Sequence, residues 1–331
     1  MRFGPDPEEA RALDARMHRG LKESLDHIAE AAEEGAREAV NEADRTVLTR
    51  ISETAAAIPA GRVYSPATFG YYYELAIALT DDDLDAALAA AEKLTRSVAK
   101  TNGENGRRIL ALGQDADRDA IYLRRLDQLP DATFNPPPAP LADGFSSRLE
   151  EARALLARST PELLEEIDAI VREIMLAVGK PEDKGQFDGA SHYQLWGLLF
   201  LNPTFHSTPV ALAEVLAHES GHSVLFGHTY DEPLVFNPDT DLYPSPLRLD
   251  RRPMDGIYHA TWVSARMHWA MSRIAEDASV SAAERAAARK AADEDAANFA
   301  AGISVVDEHG RLSGTGRRLM EAARDYMNGA A

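Results

Sequence analysis

Pro136-Pro137-Pro138 is the strongest single constraint on what this chain can fold into. A proline has no N–H to donate, and its ring collides with the preceding turn, so no helix runs through three in a row. The stretch LPDATFNPPPAPLADG at 129–144 therefore reads as a Pro-rich connector between a helical N-terminal region, 1–128, and a second region, 145–331. On both sides the periodicity is mostly helical. Apolar residues recur at helical spacing across 5–58, as in Leu21, Leu25, Ile28 and Ala32. The aspartates of DDDLDAALAAAEKLTRSVAK suit the first turn of a helix over 81–100. TNGENG at 101–106 is a loop, and another helix fits 115–128. Past the prolines, helices are expected over 145–157 and 160–177, the second opened by Thr160-Pro161 and closed by GKPEDKG.

One stretch breaks the helical pattern. YQLWGLLFLNP at 193–203 is short, apolar and aromatic and is closed by proline, as a strand would be, with an edge to which an extended peptide could add. Thr208-Pro209 then opens a helix expected to end near Phe226, with Gly227 left-handed at its C-terminus. Long helices follow at 256–279 and 282–301, and no internal repeat is visible. The expected fold is mainly α-helical (α+β), a bundle-like helical body with a small sheet beside the helix that starts at Thr208.

Composition narrows the function classes. Hydrophobic residues make up 45% and charged residues 27%, a globular balance. With no cysteine, disulfides and thiolate metal sites are excluded. The densest apolar run, Leu195 to Leu201, falls far short of the roughly 20 residues a bilayer span needs. The acidic start MRFGPDPEEARALDAR has no apolar signal-like core, so a cytoplasmic protein with no membrane association is expected. A net charge of −19 repels phosphate backbones, which argues against nucleic acid and is compatible with a basic peptide partner.

The candidate chemistry lies in HESGHSVLFGH at 218–228. Residues four apart share a helix face, so His218 and His222 can turn imidazole nitrogens toward one ion. Glu219 is rotated by roughly 100°, beside the ion, where it suits a general base or a carboxylate that orients a ligand. Gly221 is costly in mid-helix and would leave room beside a metal. A catalytic site needs a third protein ligand. His228 has the spacing of HExxHxxGxxH proteases, but Leu225 stands where those need a helix-breaking glycine. His259, on the helix of 256–279, can reach across from a separate element. Glu276 is the carboxylate candidate on that helix. His268 lies on the opposite face from His259, Arg266 on nearly the same face, and His192, His206 and His309 lack helpful spacing.

The stretch after the motif, YPSPLRLDRRPMDGIYHATW at 243–262, is dense in proline and arginine. HExxH, then P-x-R-x-D-x-R-P, then G-x-x-H resembles the HExxH-type 2-oxoglutarate-dependent peptide β-hydroxylases that modify ribosomally made peptides. The matching residues are His218, Glu219, His222, Pro246, Arg248, Asp250, Arg252, Pro253, Gly256 and His259. The likeness covers about 193–266, with a weaker echo at LSGTGRRLMEAA. It departs at Leu247, where the family commonly has tryptophan, and at Ser220-Gly221, where it is bulkier. The resemblance implies Fe(II), 2-oxoglutarate and O₂, with His218, His222 and His259 as metal ligands and hydroxylation at a side-chain β-carbon of a precursor peptide. A guanidinium suits the distal carboxylate of 2-oxoglutarate, which makes Arg248 and Arg252 the candidates. Glu219 would then orient a ligand or a water. A zinc metallopeptidase with Glu219 as general base is the alternative, and a non-catalytic peptide-binding protein the third reading.

Overall fold

A computed structural model describes residues 3–100, 108–126, 133–180, 187–245 and 250–330. It is mainly helical with a small sheet, as the periodicity implies. The N-terminal helices are α1 (Pro7–Glu38), α2 (Glu42–Ala56), α3 (Pro66–Thr80) and α4 (Leu84–Lys100). Strand β1 (Arg108–Ala111) and α5 (Ala116–Leu126) follow, then α6 (Ala139–Ser159) and α7 (Pro161–Ile170). The middle of the chain supplies β2 (Glu173–Leu176), β3 (Gly189–Ser191) and β4 (Leu198–Leu201). Helix α8 (Pro209–His228), a two-residue ribbon of β5 (Leu242–Tyr243) and β6 (Arg252–Pro253), and α9 (Met254–Glu276), α10 (Ala282–His309) and α11 (Gly314–Ala330) complete it.

Cap chemistry explains several boundaries. Asp6 accepts from the N–H groups of Glu8 and Glu9 at 3.0 Å and Pro7 starts α1. Thr208 accepts from the Ala211 N–H at 3.2 Å before α8, and Ser281 with Glu284 forms a capping box on α10. Pro138 is the last residue before α6, so the helix begins at Ala139 with Pro140 in its first turn, not at 145.

The main sheet has the order β1-β2-β4-β3, with β1, β2 and β4 parallel and β3 antiparallel to β4. Three expectations are corrected here. The helix expected over 160–177 stops at Ile170, and Glu173–Leu176 is an interior strand, buried at every residue. A parallel strand covered on both faces is a continuous apolar run, which periodicity does not distinguish from a buried helix. The strand expected over 193–203 is only Leu198–Leu201, preceded by a 3-10 turn at Tyr193–Leu195. Gly197, at φ 85°, makes the bend between them, with Ile170 O only 3.1 Å from where a Cβ would sit. Finally, β4 lies between β2 and β3, so it has no edge for a peptide to join; the edge on that side is β3.

Residues on both sides of the proline stretch share this sheet and one hydrophobic cluster. The first region contributes β1, α1 packs against α7 and α8, and Asn135 bridges to Val178. The most extensive helix pair is α9 with α10, where Gly302 lies directly against the Thr261 side chain. Among the described residues, no helix is long and apolar enough to cross a membrane.

Candidate metal centre

Helix α8 is buried along most of its surface, wedged against α1, α6, α7 and α9. Its partly exposed positions include Ala211, Glu214, His218, His222 and Phe226, which recur every three or four residues. They form one stripe along which this otherwise enclosed helix reaches solvent. Both motif histidines lie on it.

Helix α9 runs in the opposite direction along α8. Gly221 faces Val263 and Trp262, with Val263 Cγ1 3.1 Å from the position of an added Cβ. The glycine thus allows close helix approach, and the space it leaves is filled by α9, not held open beside the histidines. At that crossing three imidazoles meet. His222 Nε2 is 3.1 Å from His218 Nε2, and His222 Nδ1 is 3.1 Å from His259 Nδ1. The rings of His222 and His259 are 5.4 Å apart and nearly parallel, at 15°. Phe226 stands against both, at 6.3 Å and 5.3 Å. His218 Nδ1 is 3.3 Å from Met267 Sδ, and His259 Nε2 is 3.9 Å from the Asp255 carboxylate.

Burial holds the His222 imidazole well below the usual histidine range, and the neighbouring His218 and His259 add to the effect. Burial also lowers His259, against the opposing pull of Asp255. Neutral imidazoles carry the lone pairs a metal needs. The fit to an ion is good for one pair. The Nε2 atoms of His218 and His222, 3.1 Å apart, would both be within reach of one ion. His259 meets the other edge of His222, so one ring must turn before all three present nitrogens to one ion. Accordingly, no group of three or more His, Asp or Glu among the described residues is already arranged as a metal-holding set.

Glu219 is off the exposed stripe. It is 3% exposed and packs beneath edge strand β3, where an added Cβ on Gly189 would lie 2.6 Å from its Oε1. Burial pushes its carboxyl up to about 8; the nearby Ser191 hydroxyl acts to lower it and Asp188 to raise it. Ser191 is an electrostatic neighbour only: neither its Oγ nor Glu219 Oε2 has a hydrogen-bond partner within 3.5 Å. Glu219 Oε1 is 4.0 Å from His218 Nε2.

The other candidates separate clearly. His228 is not beside the pair. Helix α8 continues unbroken through Gly227, which is helical and packed against Leu13 and Trp196, and His228 Nε2 lies 3.6 Å from Glu9 on α1. Glu276 is exposed at the far end of α9. Arg266 is buried and bound to Glu166, whose other oxygen accepts the Asp6 N–H at 2.9 Å, so it is committed to joining α9 to α7 and α1. His268 bonds the Tyr326 hydroxyl at 2.9 Å and His206 the Asp188 carbonyl at 3.2 Å. Arg252 is on β6, two residues before the start of α9, with Nε 2.7 Å from Asp250. Arg248 lies outside the described residues. Phe226, Asp255, Met267 and Gly189 were not anticipated. Phe226 and Asp255 are each four residues from a candidate ligand and could have been found by helix spacing; Met267 and Gly189 carry no such signal.

No protein-family model matches the chain, and no curated protein matches it.

Proposed function

We propose that this chain is a non-haem Fe(II)- and 2-oxoglutarate-dependent dioxygenase that hydroxylates a side-chain β-carbon of a ribosomally made precursor peptide. The observation carrying this reading is the division of labour on α8. The motif histidines occupy its solvent-reaching stripe and meet His259, while the motif glutamate is enclosed under β3, with Oε1 4.0 Å from His218 Nε2. A hydrolase of the HExxH type needs that carboxylate facing a metal-bound water, to take its proton. An oxygenase has no such need, so an enclosed Glu219 is compatible with its chemistry. The sequence likeness around Arg252 and His259 points the same way.

In this reading His218, His222 and His259 hold the iron, which together with 2-oxoglutarate and O₂ supplies the oxidising equivalents for hydroxylation. The chain's own residues do the rest. Phe226 packs on the rings of His222 and His259, restricting their rotation and keeping water from that side. The Asp255 carboxylate, 3.9 Å from His259 Nε2, is an electrostatic neighbour of that ring and would favour a proton on Nε2. Arg252, or Arg248, pairs with the distal carboxylate of the co-substrate; for Arg252 this means exchanging Asp250 for the ligand. Glu219, beside His218, fixes the helix face from behind.

The test is anaerobic addition of Fe(II) and 2-oxoglutarate, watched for a visible charge-transfer band, followed by O₂ and mass spectrometry of a candidate peptide. The expected result is a band lost in the His218→Ala, His222→Ala and His259→Ala proteins, and one added oxygen with stoichiometric succinate. Cleaved peptide with zinc, without 2-oxoglutarate and abolished by Glu219→Gln, would establish the metallopeptidase instead.

A further inference from the structure

Helix α10 carries an enclosed acid that the histidine centre does not use. Asp295 is 2% exposed, and its Oδ2 is buried without a hydrogen-bond partner. Helix geometry gives its place. Asp295 precedes Gly302 by two turns, so both lie on the face of α10 on which Gly302 meets Thr261 of α9. Helices α9 and α10 are joined through 277–281 and run antiparallel. Two turns back along α10 is therefore two turns on along α9, at His268. There His268 is turned to Tyr326, and its neighbour Met267 meets His218 on α8. Asp295 is thus level with the end of the α8 stripe that carries Glu214 and His218, and α10 touches α8 as well as α9.

The charges at this end are all of one sign. Glu214 is half-buried on the stripe, one turn before His218. Asp188, immediately before β3, and Glu294, beside Asp295, are its negative neighbours. Burial raises the Glu214 carboxyl, and Glu294 and Asp188 add to the effect. Burial pushes Asp295 up to about 9, with Glu214 and Glu294 adding to it. Among the described residues Glu214, Asp188 and Asp295 form no ion pair, and Glu294 has one with Lys290, at 3.4 Å between exposed side chains. A buried carboxylate without a partner is costly, and a cation brought in from outside offsets that cost.

Enclosure narrows the kind of cation. A calcium ion takes roughly six to eight oxygen ligands. No three His, Asp or Glu side chains among the described residues are grouped to hold a metal. An ammonium is strongly hydrated. A guanidinium sheds water more readily, and its planar set of N–H donors serves carboxyls on two helices at once.

We propose that Glu214 and Asp295 form a subsite for the guanidinium of a substrate arginine, one helical turn from the histidine centre. Glu214 is reached from solvent along the stripe, and Asp295 supplies the enclosed second carboxyl. One turn of α8 is about 5.4 Å. The four bonds from Cβ to Cζ of an extended arginine span about 5 Å. An arginine seated here sets its own β-carbon beside His218 and His222. That last step rests on the peptide-hydroxylase reading and names arginine as the residue it modifies; the guanidinium subsite itself does not.

The experiment uses the full-length, metal-free, ¹⁵N-labelled protein and two small probes, Nα-acetylarginine methylamide and its citrulline counterpart, a neutral compound of nearly the same shape. Amide shifts are followed during titration of each. The variants are Glu214→Gln, Asp295→Asn and, as a control for bulk electrostatics, exposed Glu308→Gln on α10. The arginine probe should move amides around Glu214 and Asp295 with roughly millimolar affinity. The citrulline probe should bind at least tenfold more weakly. Glu214→Gln and Asp295→Asn should each weaken arginine binding at least fivefold, and Glu308→Gln less than twofold. Thermal melts show which variants are folded, and half-buried Glu214→Gln carries the test if Asp295→Asn is not. No arginine-dependent shifts, equal binding of citrulline, shifts confined to other parts of the chain, or a folded Glu214→Gln no weaker than Glu308→Gln would overturn the proposal. So would Mg²⁺ or Ca²⁺ moving the same amides and displacing the arginine probe, because the pair would then be a metal site. No iron or 2-oxoglutarate enters this assay, so its failure leaves the oxygenase reading standing, and failure of that reading leaves the subsite standing.

Discussion

The contact between Gly189 and Glu219 permits a test of where the motif glutamate points, independent of any metal. In Gly189→Ala the new Cβ would sit 2.6 Å from Glu219 Oε1, 3.0 Å from Cγ and 3.1 Å from Cδ, all inside the roughly 3.5–4.0 Å optimum for non-bonded carbon contacts. Gly189 is not in the left-handed region, so alanine suits its backbone. Without the clash, the substitution should stabilise by about 0.4–1 kcal/mol, because alanine restricts the unfolded chain. With the clash, overpacking costs about 1–3 kcal/mol. The same change in a Glu219→Ala background is relieved of these three contacts. The two backgrounds should therefore differ by about 2 kcal/mol, a coupling well above the few tenths expected of independent sites. Glu219→Ala alone opens a cavity but also removes a buried carboxyl whose Oε2 has no partner, so its own sign is not the diagnostic. The assay is urea unfolding of the four metal-free proteins, with midpoints compared at unchanged m-value. If Gly189→Ala has the same effect in both backgrounds to within about 0.5 kcal/mol, Glu219 does not pack under β3, and the assignment of the motif glutamate to the enclosed side fails.

Two further predictions concern buried charge. Glu219 is lifted by burial from 4.5 to about 8, so folding favours its protonated form. This contribution to stability is complete below about pH 4.5 and is lost as pH rises toward 8, at up to about 1.4 kcal/mol per pH unit. Metal-free Glu219→Gln should show a flatter urea-stability profile between pH 5 and 8, and an unchanged slope would refute the burial. Arg266→Met leaves buried Glu166 with the Asp6 N–H but without its cation and should cost about 3–5 kcal/mol, whereas Arg266→Met with Glu166→Leu should recover most of that loss in the same assay.

How much of the molecule was legible in its residues depended on whether a signal is local. Thr208-Pro209 and the apolar spacing after it announced α8, and the pair His218 and His222 followed from helix geometry alone. The sheet was another matter. Glu173-Ile174-Met175-Leu176 is apolar except for a glutamate whose partners, Tyr122 and Arg108, come from α5 and β1. Those long-range bonds make an interior strand position tolerable for Glu173, and nothing within the segment distinguishes it from a continuation of α7. Helix α3 has no periodic contrast to detect, because apolar residues fall on all sides of it around Glu74. Gly221 misled in a different way. A glycine among metal-ligand candidates suggests space for a ligand, but its function is set by Val263 and Trp262, forty residues downstream in sequence and adjacent only once α9 has packed.

The arrangement of the three imidazoles carries its own prediction about metal binding. In the metal-free chain His222 uses both nitrogens: Nε2 toward His218 and Nδ1 toward His259. A neutral imidazole has one N–H and one lone pair, so His222 donates to one neighbour and accepts from the other. An ion held between the Nε2 atoms of His218 and His222 removes the proton between them. His222 must then carry its remaining proton on Nδ1. If His259 joins the ion, it turns away from that proton, and the Nδ1 contact opens. Zinc, as a diamagnetic stand-in for iron, makes this visible in imidazole ¹⁵N spectra of the labelled protein. One equivalent should move the Nε2 resonances of His218 and His222 and one nitrogen of His259 together, while His228, held near Glu9, stays put. Shifts at His218 and His222 with His259 unchanged would mean a two-histidine ion whose remaining ligands come from elsewhere. That outcome would remove His259 from the centre and with it the three-histidine basis of the oxygenase assignment.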